Sequence, residues 1–341
     1  MTLIRPAGGT TGADGAARRH GTRRAAALLV LVALGALVPL LGPSAALHGT
    51  GEAAAPGVGG IALLRAVLFA ALSVSLGELF VHRLAGRLPG APPEVPRSWA
   101  RFANTAGLLA ALALASVVST GNLVPHSPGQ IDVGGLYDSR DGRLALLEVN
   151  AFLLAVVLAR RRAAHVWPLA AVVVAEALRA HPAGESGALA GSGLTLVHLT
   201  CAALWAGGLP HALRTLRLWR GHPAGAALLG RYARVAAVLL ALVTATGVYS
   251  ALRRMPPGTV LEQLTTTAYG RTLLAKVVLV AVVAVLALWA RIRLGRAADP
   301  LTACAPARAE VAALGAVVAV SGLLTALPLP IRWSWRFTGR W

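Results

Sequence analysis

Long apolar stretches alternate with short arginine-bearing segments along most of the chain. A helix that crosses a membrane needs about 20 consecutive, mostly apolar residues, and nine stretches approach that length. They lie at residues 25–43, 58–82, 99–120, 144–163, 166–181, 189–212, 233–252, 272–290 and 309–330. The pattern predicts an all-α fold: a polytopic membrane helical bundle of eight or nine spans.

The two ends of the chain are predicted separately from the bundle. Residues 1–24 are predicted to be a cytoplasmic N-terminal tail, and residues 331–341 a C-terminal tail. Residues 25–46 have two interpretations, a first transmembrane span or a signal peptide with a cleavage site near Ala46. Cleavage would leave eight spans without changing the topology of the others.

The composition agrees with a membrane location. Of the 341 residues, 56% are hydrophobic and 13% are charged, and the mean hydropathy is +0.67. A soluble chain would carry about 25% charged residues, so an ordinary soluble enzyme is excluded. We expect no enzymatic activity, because the sequence contains neither a hydrolytic motif nor a Walker A sequence.

The net charge of +19 reflects topology. The basic residues, all arginine except Lys276, lie in short groups between apolar stretches, as cytoplasmic anchors of membrane helices do. With the N-terminus inside, 21 arginines fall on inner segments and 9 on outer ones. This excess predicts a multi-pass membrane protein surrounded by lipid, with no nucleic-acid partner. The abundance of arginine, alanine and glycine with a single lysine is typical of a high-G+C bacterium and predicts a bacterial source.

Two halves of the chain resemble each other at an offset of about 126 to 130 residues. The matching segments are residues 101–103 with 231–233, 120–121 with 246–247, and 141–144 with 269–272. Because each half contains four spans, both would have the same orientation. We predict two parallel four-helix repeats, at residues 58–181 and 189–330.

Charged residues within the spans are candidates for transport or gating, because ionisable groups in a membrane are costly. Glu148 aligns with Lys276 between the halves, and we predict an intramembrane salt bridge between them with a structural or gating role. Glu78 lies one turn before His82, near the inner end of its span. It is predicted either to relay a cation or proton inward or to pair with a charge on a neighbouring helix.

The second half contains several recognisable short motifs. Residues 196–209, LVHLTCAALWAGGL, contain the pattern HLxxxxxWxGGL, and residues 231–276 contain segments similar to R-[FY]-S-R, T-G and YGRxLLxK. These segments resemble signatures of the copper resistance D (CopD) family. The resemblance covers residues 190–330. It implies a plasma-membrane protein of copper uptake or tolerance, with any CopC-like copper-binding partner a separate extracytoplasmic protein.

Candidate copper ligands lie on two spans and one outer loop. His198 and Cys201 are three residues apart and share a helix face; imidazole and thiolate suit copper, and the thiol favours Cu(I). His198 lies within the family resemblance and is predicted to be the central ligand. Cys201, His181 and Glu176 are predicted to support it, and His126 to collect ions from outside.

Each of these assignments has an alternative. In the alternative, His198 is a hydrogen-bonded core histidine, Glu176 pairs with Arg179, and His181 caps its helix.

For the whole protein we predict a copper-handling membrane protein that takes up copper across the plasma membrane and serves copper resistance and homeostasis. The alternative is a haem-binding or assembly-factor membrane protein, because histidines on antiparallel helices can hold haem between them.

Overall fold

A computed structural model describes residue 33 and residues 35–121, 124–125, 127–181, 187–255, 257–296 and 304–328. All regular elements within these ranges are helical. The predicted tails at 1–24 and 331–341, and His126, lie outside the described residues. The all-α fold is confirmed.

Eleven α-helices are described and numbered in chain order. They are α1 (Gly35–Leu47), α2 (Val58–Ala85), α3 (Ala100–Ser119), α4 (Val133–Asp138), α5 (Arg140–Leu158), α6 (Arg162–Arg179), α7 (Ala188–Leu218), α8 (Pro223–Arg254), α9 (Val260–Thr266), α10 (Ala268–Arg296) and α11 (Cys304–Ala326). Six of them are long and apolar enough to cross a membrane. These six are α2, α3, α7, α8, α10 and α11. The chain is therefore a multi-pass membrane protein, but the predicted count of eight or nine spans is not confirmed.

The helices α5 and α6 correspond to the fourth and fifth predicted spans. They have 19 and 18 residues, but α5 carries four charged residues and α6 carries three. The charged side chains Glu148, Glu176 and Arg179 pair with one another and with Arg65 of α2. The charges explain why α5 and α6 are not among the six apolar helices, and their crossing of the membrane stays a prediction.

Buried apolar side chains form two large clusters. One joins α2, α3, α5 and α6 and includes Leu72 and Phe152. The other joins α7, α8, α10 and α11 with the inner end of α2, and includes Trp205 and Val283. The two clusters follow the predicted halves, although the relation of the halves by an axis along the membrane normal stays a prediction.

The helices α2 and α7, which begin the two predicted repeats, cross where both lack side chains. A Cβ atom added to Gly207 would collide with the carbonyl oxygen of Ser73, and one added to Gly77 would collide with the backbone of Gly207. Glycine allows this close approach of two helix backbones in a membrane. The glycine of the WxGG segment therefore sets the distance between the halves.

The helices α5 and α10 begin with the same local structure. The hydroxyl of Ser139 accepts a hydrogen bond from the backbone N–H of Gly142 at 3.0 Å, and Thr267 does the same for Gly270 at 3.0 Å. In both places a Cβ atom on the glycine would collide with a carbonyl oxygen of the preceding short helix, α4 or α9. The agreement between the two turns is what a duplication predicts.

The described part of residues 25–46 is helix α1, and it packs on the bundle. Ala46 belongs to a small apolar group with Val58 and Leu323, and Arg271 donates hydrogen bonds to the carbonyl oxygens of Ala46 and His48 at 3.5 and 2.5 Å. Both interpretations of this segment, span or signal peptide, stay predictions.

Candidate metal and ion-pair sites in the membrane

Four charged side chains form an ion-pair cluster between α2, α5 and α6. The guanidinium of Arg65 lies 2.5 Å from Oε1 of Glu176, and Arg179 lies 3.1 Å from the same oxygen and 2.9 Å from Oε2 of Glu148. All four residues are at most 14% exposed. Two arginines and two glutamates balance in charge, which is how buried charges are stabilised where water is absent.

The ion-pair cluster corrects the partner that the sequence suggested for Glu148. Glu148 pairs with Arg179, and Lys276 forms no ion pair with any carboxylate in the described ranges. The predicted salt bridge between Glu148 and Lys276 is therefore wrong. The physical reason is that Arg179 lies on the neighbouring helix α6, which packs against α5 within the first half, whereas Lys276 lies on α10.

Two of the predicted copper ligands are engaged near this cluster. Glu176 is contacted by both arginines, so the alternative pairing with Arg179 is present. His181 lies at the end of α6, where Nε2 is 3.1 Å from Oγ1 of Thr195 on α7. The carbonyl oxygens of Leu178 and His181 accept hydrogen bonds from Arg140. These contacts hold the C-terminal end of α6 against α5 and α7.

His198, the predicted central ligand, lies half-buried on α7 and faces α8. Its Nδ1 is 3.0 Å from Oγ1 of Thr246, whose hydroxyl donates to the carbonyl oxygen of Leu242 at 2.6 Å. Because that proton is used, the imidazole nitrogen is the donor to Thr246 in this arrangement. The imidazole thus lies at the contact between α7 and α8.

Cys201 is buried in the apolar cluster of the second half, with an exposed fraction of 7%. It is a free thiol. Within the described ranges, no three side chains of histidine, cysteine, aspartate or glutamate converge in a way that could hold a metal ion. The four predicted ligands therefore do not form one cluster of three or more in the described ranges, and the pair of His198 and Cys201, three residues apart on α7, stays a prediction.

Glu78, the predicted inner relay, contacts the beginning of α3. Its Oε2 accepts a hydrogen bond from the backbone N–H of Trp99 at 3.0 Å, where a carboxylate is favourable to the helix N-terminus. The guanidinium of Arg214 stacks on the Trp99 ring at 3.7 Å. Next to them, Arg162 lies 2.8 Å from Nε2 of His82. Polar groups of four helices, α2, α3, α6 and α7, meet at this predicted inner end.

One buried polar network was missed by sequence reasoning. Asn104 accepts a hydrogen bond from Ser75 at 2.7 Å and donates to His165 Nε2 at 2.7 Å and to the carbonyl oxygen of Ala155 at 3.1 Å. All three polar side chains are at most 1% exposed. The signal available in the sequence was an amide within an otherwise apolar span, which needs a partner in the membrane.

Glu310 was also missed. It is 5% exposed on α11 and lines a crevice between α8 and α10. It forms no hydrogen bond or ion pair with the residues that the structure describes. A single acidic residue in the last apolar span was the signal that could have identified it.

These features define the class of the protein: a multi-pass helical membrane protein with ionisable residues buried between its helices. Residues 226–327 match the family model CopD, described as Copper resistance protein D. The match confirms the family resemblance for the segment from α8 to α11, which includes Thr246, Lys276 and Glu310. The similar helix at residues 196–209, with His198 and Cys201, lies outside the matched residues. No curated protein and no solved structure matches the chain.

Proposed function

We propose that this protein imports copper across a bacterial plasma membrane and thereby serves copper resistance and homeostasis. The proposal is supported by the CopD match at residues 226–327. The observation that carries it is the imidazole of His198 inside α7, hydrogen-bonded to Thr246 of the matched segment. Imidazole is a common copper ligand. Because an ionisable side chain within a membrane helix is costly, a histidine at this position is a candidate for a functional residue.

Copper is the substrate in this proposal and is bound only in transit. A transported ion must bind well enough to enter a site and weakly enough to leave it. Lys276, on α10 of the matched segment, would oppose a second cation with its positive charge and so weaken copper binding at the imidazole. Cys201, on the same helix, would favour Cu(I) over harder ions. In this proposal Lys276 limits how long copper stays at His198.

Passage of a copper ion between the two repeats would require α2 and α7 to separate. At their crossing Gly77 and Gly207 bring the backbones into direct contact, which leaves no space for an ion in this conformation. Rocking of one repeat against the other is the usual way in which transporters with internal repeats open alternately to each side. A separate CopC-like protein would deliver copper at the outer side.

The test is the copper content of cells that express the protein, measured by elemental analysis at fixed external copper. We expect more copper with the wild-type chain than with an empty vector, and vector-level copper with His198→Ala. Thr246→Val, which removes the hydrogen-bond partner, should lower uptake partially. The matched control is His222→Ala, because His222 is exposed and caps the first turn of α8; it should behave as wild type.

Three outcomes would contradict the proposal. Lower copper in wild-type cells would reverse the direction of transport while keeping the site. Equal copper in wild-type and vector cells, with the protein present in the membrane, would refute copper transport. A Soret band in the purified protein would favour the haem-binding alternative.

A further inference from the structure

A crevice separates α8 from α10 in the second half. In the first half the corresponding helices α3 and α5 pack directly, and Gly107 lies against the ring of Phe152. In the second half α8 and α10 are separated by a crevice of about 220 Å³, with α7 and α11 at its base. Leu288, which is 59% exposed, lines it, so it opens sideways towards the lipid.

The walls of the crevice suit an acyl chain. Most lining residues are alanine or leucine, contributed by both α8 and α10, and Trp205 of α7 lies at the base. Trp205 is 3% exposed, and its carbonyl oxygen accepts the hydroxyl hydrogen of Tyr232 at 2.7 Å. The hydrogen bond holds the Tyr232 side chain against α7, and the space between α8 and α10 stays open beside it.

At the predicted cytoplasmic end the crevice continues into a basic pocket, defined by Arg231 and Arg234 of α8 and Arg291 of α10. None of the three arginines pairs with a carboxylate in the described parts of the chain. Arg231 donates a hydrogen bond to the carbonyl oxygen of Arg87 at 3.2 Å, which holds its guanidinium at the pocket. An excess of arginine at this end is expected of any membrane protein. That excess does not by itself explain why three arginines line one pocket that joins an apolar crevice.

We propose that the crevice binds an anionic phospholipid of the inner leaflet, with the phosphate in the basic pocket and an acyl chain between α8 and α10. Guanidinium groups bind phosphate oxygens through paired, charge-assisted hydrogen bonds, and basic pockets between membrane helices on the cytoplasmic side are suited to anionic headgroups. The proposal does not depend on copper transport. The lipid fills the gap that distinguishes the second half from the first.

The charge of Glu310 predicts the direction in which its substitution changes the affinity for an anionic lipid. Its carboxyl group lines the same crevice as Arg291, so a negative charge on it opposes the binding of an anionic lipid. Anionic lipid should bind Glu310→Gln as tightly as wild type or more tightly. A cation site in the crevice would show the opposite, because the carboxylate would be its ligand.

The test uses the purified full-length chain in neutral detergent, titrated with brominated phosphatidylglycerol. Bromine quenches nearby tryptophan, and comparison with Trp205→Phe isolates the signal of Trp205. We expect saturable quenching by phosphatidylglycerol at much lower concentrations than by brominated phosphatidylcholine. The triple variant R231Q/R234Q/R291Q should weaken binding about a hundredfold, since each guanidinium is worth about fivefold.

The matched control, R160Q/R161Q/R220Q, removes the same charge from exposed arginines that do not line the crevice, and it should bind as wild type does. Circular dichroism and thermal unfolding verify that all variants are folded. Equal quenching by the two lipids, equal loss in both triple variants, or loss of binding in Glu310→Gln would overturn the proposal. Displacement of quenching by millimolar inorganic phosphate alone would indicate a site for free phosphate instead of a lipid.

Discussion

Removing Arg179 should destabilise the protein through the charge that it leaves unpaired. In the ion-pair cluster Glu176 has two cations, Arg65 and Arg179, whereas Glu148 has only Arg179. Arg179→Met therefore leaves Glu148, which is 1% exposed, as an uncompensated buried carboxylate. Loss of one partner from a buried pair costs about 3–5 kcal/mol, and we expect a decrease of that size in the free energy of unfolding.

The second variant tests the reason for the loss. Arg179→Met combined with Glu148→Gln removes the uncompensated charge and leaves the Arg65–Glu176 pair intact, so it should lie within about 2 kcal/mol of wild type. Unfolding by sodium dodecyl sulfate in mixed micelles, followed by circular dichroism, measures each free energy. The control Arg101→Met changes an exposed arginine without an ion pair to a described residue. If the double variant were as unstable as Arg179→Met, the unpaired charge of Glu148 would not be the cause.

Two further substitutions test the packing of the bundle. Asn104→Leu should lower the free energy of unfolding by about 2–4 kcal/mol, because His165 and two other buried groups lose their hydrogen-bond partner. The control Asn150→Leu replaces an exposed amide that bonds its own helix and should change the free energy by less than about 0.5 kcal/mol. Similar losses of stability in the two variants would refute a stabilising role of the Asn104 network. Gly207→Ala should force α2 and α7 apart, so that no folded protein is seen in size-exclusion chromatography. Gly315→Ala, on α11 with open space around it, should stabilise the protein slightly. Equal yields of folded protein for the two variants would refute the close contact of α2 and α7.

Helix positions were largely predictable from the apolar stretches. The predicted span at 99–120 is α3, Ala100–Ser119, and the predicted span at 58–82 is α2, Val58–Ala85. The largest shift occurs at α8, predicted at 233–252, which begins ten residues earlier at Pro223. Smaller shifts occur at α5 and α6, predicted at 144–163 and 166–181. Both helices begin about four residues earlier, because their first turns are charged and a hydropathy pattern does not detect them. The short helices α4 and α9 were missed for a similar reason, since neither is long or apolar enough to resemble a span.

The candidate sites were less predictable, because they depend on which helices are neighbours. The sequence indicates that Glu148 needs a cation, but it does not indicate whether Arg179 or Lys276 is nearer. Alignment of the halves favoured Lys276, and packing of α5 against α6 selected Arg179. The partner of His198 was within the recognised T-G segment, yet Thr246 could be named only once α7 and α8 were seen side by side.

The ion-pair cluster has a consequence for how the chain is inserted into the bilayer. Each charged side chain at the centre of a helix costs about 3 kcal/mol to transfer from the translocon to lipid, so α5 with Glu148 enters poorly while it is alone. Its partner Arg179 lies at the far end of α6 and is synthesised later. We therefore expect α5 to wait at the translocon until α6 is complete, so that Glu148 is already paired with Arg179 when the two helices enter the bilayer as one hairpin. Arg65 of α2, which is inserted earlier, then balances the charge of Glu176.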